Sequence, residues 1–412
     1  MINTENVGAD AAQSDHAKCC IVGGGPAGVM LGFLLARAGV EVLVLEKHKD
    51  FFRDFRGDTI HPSTLELMHE LNLLDEFLLQ PHQELRQITV HFGSEVIHIA
   101  EFTHLHARCK FIAFMPQWDF LNFLSAQATK YPGFRLRMDA EVIDLLIENE
   151  RVVGVTARTP EGMLTVRAAL VVGCDGRTST VRARAGLEVI DLGAPIDVLW
   201  FRIPKHQGDP PQAFGFVSAA QFMVLIDRAD YWQCAYVIRK GSFEQRRAQG
   251  LAAFREDVGR CAPFLRDRVA QIKEWDDVKL LNVKVDHLRQ WHREGLLCIG
   301  DAAHAMSPVG GVGINLAIQD AVAASNLLAE KLRCGTVCSS DLESVQRRRS
   351  RPARLTQGLQ VFMHEHLLEP IFDSTEMIPT PLAMRLLEKF PRLRTLPARV
   401  VGMGFRPEHI RD

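Results

Sequence analysis

The chain has 412 residues, 47% of them hydrophobic and 24% charged, with a formal net charge of −2. That length suits two domains or one large elaborated one, and the charge balance excludes the basic excess of a nucleic-acid binder. The nine cysteines make no dense framework. Cys334 and Cys338 have no companion pair, so buried or incidental thiols are expected, with neither disulfides nor a metal site.

Residues 1–17 are polar and mildly acidic and lack the basic and apolar regions of a signal peptide. The expectation is a disordered leader on a cytoplasmic protein. No apolar run approaches the length needed to span a membrane. Lys18 to Val22 reads as a buried strand, followed by a glycine-rich turn, a helix from Pro26 to Ala38 stopped by Gly39, and a second strand from Val40 to Leu45. This is a β-α-β unit. Pro62 to Leu78 reads as one amphipathic helix. Residues 87–102 read as a hairpin turning at Gly93-Ser94. Gln117 to Lys130 is again helical, and residues 141–173 form a β-meander that returns to the first sheet.

From 188 to 286 the texture changes to β-like runs (DVLWFRI, AFGFV, QFMVLI, WQCAYVIR), with Arg246 to Phe254 reading as a helix. An apolar run at 295–299 leads back to the first domain, and a long helix is expected from Gly313 to Leu332. The remaining residues read as helices punctuated by prolines, Pro352 among them. Apolar residues between 367 and 396 (MRLLEKF) would pack on a second subunit or cover the sheet. The fold class is therefore α/β: a Rossmann-like domain with an inserted, mostly antiparallel sheet and a helical C-terminal segment. The boundaries are leader 1–17; dinucleotide-binding domain 18–86, 105–187 and 288–334; substrate domain 87–104 and 188–287; C-terminal segment 335–412.

Three strand ends carry the chemistry. In VGGGPAGVMLG, Gly23, Gly25 and Gly28 fit G-x-G-x-x-G. One glycine allows the tight turn, one lets the backbone approach a pyrophosphate, and one lets helix and strand pack closely. The helix that follows offers free N–H groups to phosphate. Glu46 ends the next strand, where a carboxylate accepts ribose hydroxyls and repels a 2′-phosphate. The strand-turn-helix context turns a weak motif into a dinucleotide site for FAD or NAD. VVGCDGRTSTVR places Asp175-Gly176 at a second strand end, and GDAAHAMSPVGGVGIN places Gly300-Asp301 at a third. Ligands of α/β sheets bind at such carboxyl ends.

These motifs, in this order, resemble the single-component, class A flavoprotein monooxygenases, of which para-hydroxybenzoate hydroxylase is the familiar member. The resemblance covers most of the first 330 residues. It implies FAD as cofactor, with NAD(P)H as a transient co-substrate. Gly23, Gly25, Pro26, Ala27, Gly28, Glu46 and Lys47 would hold the adenosine side. Arg56 and Gln117 would contact the cofactor, Asp175 would serve FAD and the nicotinamide, and Asp301 would bind the ribityl–phosphate region. Pro308, Gly311, Gly313, Ile314 and Asn315 would lie along the flavin, with the helix dipole facing its negative edge. The implied reaction inserts one atom of O2 into a small aromatic or electron-rich molecule through a C4a-hydroperoxyflavin. The alternative is an FAD oxidase or dehydrogenase on the same fold. A non-catalytic escort protein has no use for the flavin-edge segment.

Arg56, Asp58, Pro308 and Tyr236 are the candidate catalytic residues, with His61 either a polar group near the flavin or punctuation before Pro62. The family's phenol-activating tyrosines are represented here only by Tyr236. Phe214, Phe216, Phe222, Met223 and Tyr236 would wall the substrate pocket. His104, His106 and His364-Glu365-His366 lack metal-ligand spacing. Arg347-Arg348-Arg349, with Arg351 and Arg354, reads as a solvated basic face, the alternative being a patch that attracts the anionic nicotinamide cofactor. The partners expected are a small-molecule substrate and O2, with no nucleic acid, and the protein is expected to be a monomer or homodimer.

Overall fold

The computed structural model describes residues 13–52, 59–210, 215–374, 376 and 378–411. Its main sheet runs, in spatial order, His292–Arg293, Leu296–Cys298, Gly162–Gly173, Gln13–Val22, Val42–Leu45 and Phe134–Arg137. The inner pairings are parallel. The meander strands Glu141–Glu148 and Arg151–Thr159 join it antiparallel through the first half of Gly162–Gly173. The strand Gln13–Val22 is buried on both faces over its last residues, as parallel strands covered by helices must be. It begins at Gln13 rather than Lys18, so the expected leader is shortened at its C-terminal end.

Helix Pro26–Arg37 packs on helices Gln117–Ala128 and Gly313–Cys334. The last of these, with the turn before it (Val309–Cys334), is long and apolar enough to cross a membrane, contrary to the sequence expectation. It is a core helix: 67% of its most apolar stretch is buried within the molecule.

The second sheet has seven strands in the order Lys279–Leu281, Ile196–Pro204, Tyr231–Arg239, Gln221–Asp227, Gly215–Ser218, Gln87–Phe92 and Glu95–Glu101. The hairpin at 87–101 thus belongs to the same sheet as the 196–281 strands, which it joins by parallel pairing with Gly215–Ser218. One face lies under helix Leu251–Cys261, with Phe201, Phe216, Met223, Trp232, Tyr236 and Phe254 at the centre. The other face carries Val198, Val217, Ala235 and Val237, opposite Leu368 and Ile371 of the C-terminal segment.

Three elements depart from the sequence reading for local reasons. Pro62–Leu78 is two helices, Pro62–Glu70 and Leu74–Leu78, because Asn72 takes a left-handed conformation (φ 58°). The helix expected over 246–254 is likewise two, Phe243–Ala248 and Leu251–Cys261, parted at Gly250 (φ 92°). Pro352 does not end a helix but lies inside Ser339–Met363, where it is buried.

The second sheet is braced by a buried ion pair. Arg268 donates from Nη1 and Nη2 to Asp209 (2.8 and 2.6 Å), and Trp232 Nε1 donates to the same carboxylate at 2.7 Å. Burial alone would raise the Asp209 carboxyl; the bonds from Arg268, His206 N and Trp232 outweigh it and bring it down to about 2. Because the folded carboxyl lies below its ordinary value of 3.8, the contribution is complete above about pH 4. It is lost as pH falls toward 2. Arg268→Met strands a buried carboxylate and should cost about 3 kcal/mol, measured by urea unfolding at neutral pH. The loss relative to the unmodified protein should shrink on acidification.

Candidate functional site

The first turn is set by backbone proximity. A Cβ on Gly28 would stand 1.9 Å from the Gly23 carbonyl oxygen, and one on Gly23, already at φ 105°, would stand 2.5 Å from the Cys174 carbonyl. Side chains are excluded at both positions. Gly25, the N-cap of helix Pro26–Arg37, has nothing within 4 Å of its missing Cβ, so the space before the helix N-terminus is open. Gly24 N donates to Glu46 Oε2 (2.8 Å), and the other Glu46 oxygen lies 2.5 Å from His48 Nδ1. Glu46 therefore ties the end of its strand to the glycine turn while lining the cleft.

Asp175 accepts from Ser179 Oγ (2.5 Å) and Val181 N (3.1 Å), and Ser179 caps helix Thr180–Arg184. Burial nevertheless leaves the Asp175 carboxyl above its usual range. Both oxygens thus hold the loop in place. Asp301 takes the Arg177 Nε at 3.1 Å across the cleft. Arg177 Nη1 is buried with no hydrogen-bond partner, a half-used guanidinium of the kind that pairs with phosphate. Sequence reading passed over Arg177; the residue after the Asp-Gly turn offers no local signal of what it faces.

The segment from Gly300 to Asn315 is stapled from behind. Gly300 N donates to Asp320 Oδ2 (3.1 Å), which also lies 2.5 Å from His304 Nε2, while Arg349 Nε donates to Asp320 Oδ1 (2.9 Å). Burial would raise Asp320; His304 and Arg349 outweigh it and hold the carboxyl low. Arg349 also reaches Glu408. It is buried, not part of a solvated basic face, which corrects that expectation. Further along, Gln360 brackets Ser307, accepting from its N–H (3.1 Å) and donating to its carbonyl (2.9 Å), and it donates to Val309 O as well (2.9 Å). His364 Nε2 lies 2.9 Å from Ser307 Oγ.

The Asn315 side chain has a structural role that its place at the helix start does not announce. Its Oδ1 accepts from His61 N and Thr64 Oγ1 (both 2.8 Å), and its Nδ2 donates to Thr59 O (3.0 Å) and Gly311 O (3.3 Å). The side chain is spent on joining two loops, which leaves only its backbone for a cofactor. His61 is the N-cap residue of Pro62–Glu70, and its buried ring bonds Val401 O at 2.7 Å. Burial pushes it down to about 4, so it is neutral at physiological pH. It lines a side cavity of about 90 Å³, not the main one.

The main cavity has a volume of about 1390 Å³. Gly23, Gly25, Pro26, Ala27, Glu46, Lys47, Gln117, Asp175, Asp301, Pro308, Gly311, Gly313 and Ile314 all line it, while Gly28 acts from beneath by close packing. The first turn bond of the long helix closes from Leu316 N to Val312 O (2.9 Å). The amides of Gly313 and Ile314 therefore precede it, at the positive end of the dipole. Beyond Pro308 the cavity continues between the second sheet and the C-terminal segment, along Val198, Phe222, Val224, Ala235, Val237 and Met384.

Of the five substrate-wall candidates, Phe222 lines this cavity. Tyr236, Phe216 and Met223 lie on the opposite face of the sheet, in the core under helix Leu251–Cys261. Strand alternation sends Ala235 and Val237 into the cavity and Tyr236 away from it. The Tyr236 hydroxyl is buried without a partner and burial pushes its pKa up, which removes it as a substrate-activating base. Arg56, Asp58 and Phe214 lie outside the described residues. Among the described residues no cluster of His, Cys, Asp or Glu is set to hold a metal.

The cleft fits a dinucleotide cofactor: side chains are excluded beneath it, an open helix N-terminus faces it, and a buried guanidinium nitrogen lacks an acceptor beside it. The chain matches the FAD-binding domain family over residues 16–357. It is 30% identical over 395 residues to a 6-methylpretetramide 4-monooxygenase of Streptomyces rimosus, covering 94% of this chain and 93% of that one. It is 30% identical to a rifampicin monooxygenase of Streptomyces venezuelae over 314 residues, 73% of this chain and 61% of the relative. In fold it is similar to p-nitrophenol 4-monooxygenase from Pseudomonas putida DLL-E4, with a TM-score of 0.75 at 20% identity, over 96% of this chain and 100% of that one.

Gly28→Ala should yield protein with almost no bound flavin. Asn315→Leu, which removes four side-chain bonds, should cost about 3 kcal/mol and lower flavin content. Flavin absorbance per mole of purified protein and thermal unfolding measure both. Normal flavin content in Gly28→Ala would contradict the close-packing reading of the turn.

Proposed function

Because this chain belongs to the single-component, class A FAD-dependent monooxygenases, we propose that it inserts one atom of O2 into an aromatic or otherwise electron-rich small molecule bound in the apolar end of the main cavity. The carrying observation is the continuity of that cavity. It joins the nucleotide-binding turn, the Gly300–Ile314 edge and an apolar sheet face, with Pro308 at the junction. FAD supplies the redox and oxygen-transfer chemistry, reduced by NAD(P)H.

The chain's own residues do the rest. Gly23, Gly25 and Gly28 let the backbone approach the pyrophosphate. Arg177, its Nε on Asp301, would offer its unused Nη1 to a phosphate of the cofactor, and Glu46 and Lys47 would hold the adenosine side. Gln117 and Pro308, which line the same cavity, would contact the flavin. The amides of Gly313 and Ile314 offer positive potential where the reduced ring carries negative charge. The apolar walls, Val198, Phe222, Val224 and Val237 among them, keep water from the reacting centre. His366 and Lys284 bring titratable groups to the lining, in the place the sequence reading had given to Tyr236. The protein acts in the cytoplasm as a monomer or homodimer; all nine cysteines are free thiols.

Turnover with NADH or NADPH, a panel of phenolic and polycyclic aromatic compounds and isotopically labelled O2 tests the reading. One labelled atom should enter the product and the other should leave as water. Hydrogen peroxide formed together with an oxidised substrate that carries no label, with no consumption of NAD(P)H, would establish the oxidase alternative. Arg177→Met should weaken FAD binding to the apoprotein about tenfold.

A further inference from the structure

The C-terminal segment closes the apolar end of the cavity. Pro381 and Met384, at the start of helix Leu382–Lys389, line it, as do Pro397 and Val400 of helix Thr395–Met403. A helix that walls an apolar cavity ordinarily turns a polar face outward. Here the outward positions are also apolar. Leu382 is 74% exposed, Leu386 43%, Phe390 48%, Leu393 40% and Leu396 63%.

The charges among them have one sign. Residues 381–406 contain six arginines and lysines and a single acid, Glu388. That acid is occupied: it accepts from His98 N at 2.9 Å and pairs with the buried Arg394 at 3.1 Å. Arg385, Lys389, Arg392, Arg399 and Arg406 are exposed. We propose that this apolar, cationic face docks on an anionic phospholipid bilayer surface, with Leu382, Leu386, Phe390, Leu393 and Leu396 entering the headgroup–acyl boundary and the arginines and lysines on the lipid phosphates.

Apolar side chains interleaved with cations are the composition of helices that lie in a bilayer interface. Charge selects this occupant over a second copy. A two-fold dimer through this face would set the cationic patch against itself, whereas an anionic lipid surface complements every exposed charge on it. Continuity with the cavity gives the contact a use. The same two helices face the bilayer on one side and the substrate cavity on the other, so an apolar substrate dissolved in the membrane reaches the site without crossing bulk water.

The test is co-sedimentation of the full-length, FAD-loaded protein with vesicles of phosphatidylcholine alone and of equal parts phosphatidylcholine and phosphatidylglycerol. The mixed vesicles should take up at least tenfold more protein, and about 0.5 M salt should release most of it. Leu386→Asp with Leu396→Asp should lower partitioning at least tenfold at unchanged flavin content and melting temperature. Arg385→Glu with Arg392→Glu should abolish the preference for the anionic lipid. Absence of binding to either vesicle, or binding indifferent to both double variants, overturns the proposal. So does a stable solution dimer that Leu386→Asp dissociates. No turnover is required, so failure here leaves the oxygen-transfer reading standing.

Discussion

Asp320 is the fixed point of the site. It lies fully buried in the middle of the long core helix, takes the Gly300 N–H directly, and is held low by His304 and Arg349. A buried carboxylate is tolerated only when fully paired. That requirement draws in helix Ser339–Met363 through Arg349, which in turn holds Glu408. The loop that would meet the flavin is therefore anchored by residues from three distant parts of the chain. Gln360 and Asn315 repeat the device further along: Gln360 spends its whole amide on the backbone of Ser307 and Val309, and Asn315 spends its own on the backbone of Thr59, His61 and Gly311 and on the Thr64 hydroxyl. A segment with left-handed glycines at 300, 310 and 311 would otherwise sample many conformations; here it has one.

The second constraint is the pleat of the inserted sheet. Its central strand Tyr231–Arg239 is buried on both faces, one by a helix and one by the cavity. Alternation then divides residues cleanly: small and branched side chains (Ala235, Val237, Val224) leave room for a ligand, while the bulky ones (Tyr236, Phe201, Trp232) fill the core behind. On that strand the large residues face away from the cavity, while Trp200 and Phe222 of the neighbouring strands line it. Trapping Asp209 and Arg268 at the edge of that core stiffens the sheet on the side where no ligand is needed.

The glycine turn, the Asp175-Gly176 and Gly300-Asp301 strand ends and the β-α-β order were legible because they rest on local backbone sterics and on short-range order. The hairpin at 87–101 and the meander were legible from alternation and turn residues. What escaped was set by distant partners. Tyr236 was misplaced because a strand apolar on both faces gives no sign of which face meets the cavity. Arg349 looked like one of three surface arginines because its partners, Asp320 and Glu408, are remote in sequence. The Asn315 side chain escaped because only the fold brings Thr59, His61 and Thr64 to it. Arg177 was passed over for the same reason, its role being defined by Asp301 across the cleft. Pro352 reads as a breaker, yet it is buried within a helix whose neighbours Arg349, Gln357 and Gln360 hold the site from behind.

These constraints together make one claim: flavin edge and substrate share a single cavity, and the Ala235–Val237 face of the sheet, not the Tyr236 face, meets the substrate. The most direct measurement is the rate of flavin reduction by NAD(P)H, with and without an accepted substrate, in Ala235→Trp and Tyr236→Phe proteins of equal flavin content. The account predicts that Ala235→Trp abolishes substrate binding and its effect on the reduction rate, while Tyr236→Phe leaves both within about twofold of the unmodified protein. Loss of substrate response in Tyr236→Phe with retention in Ala235→Trp would contradict it.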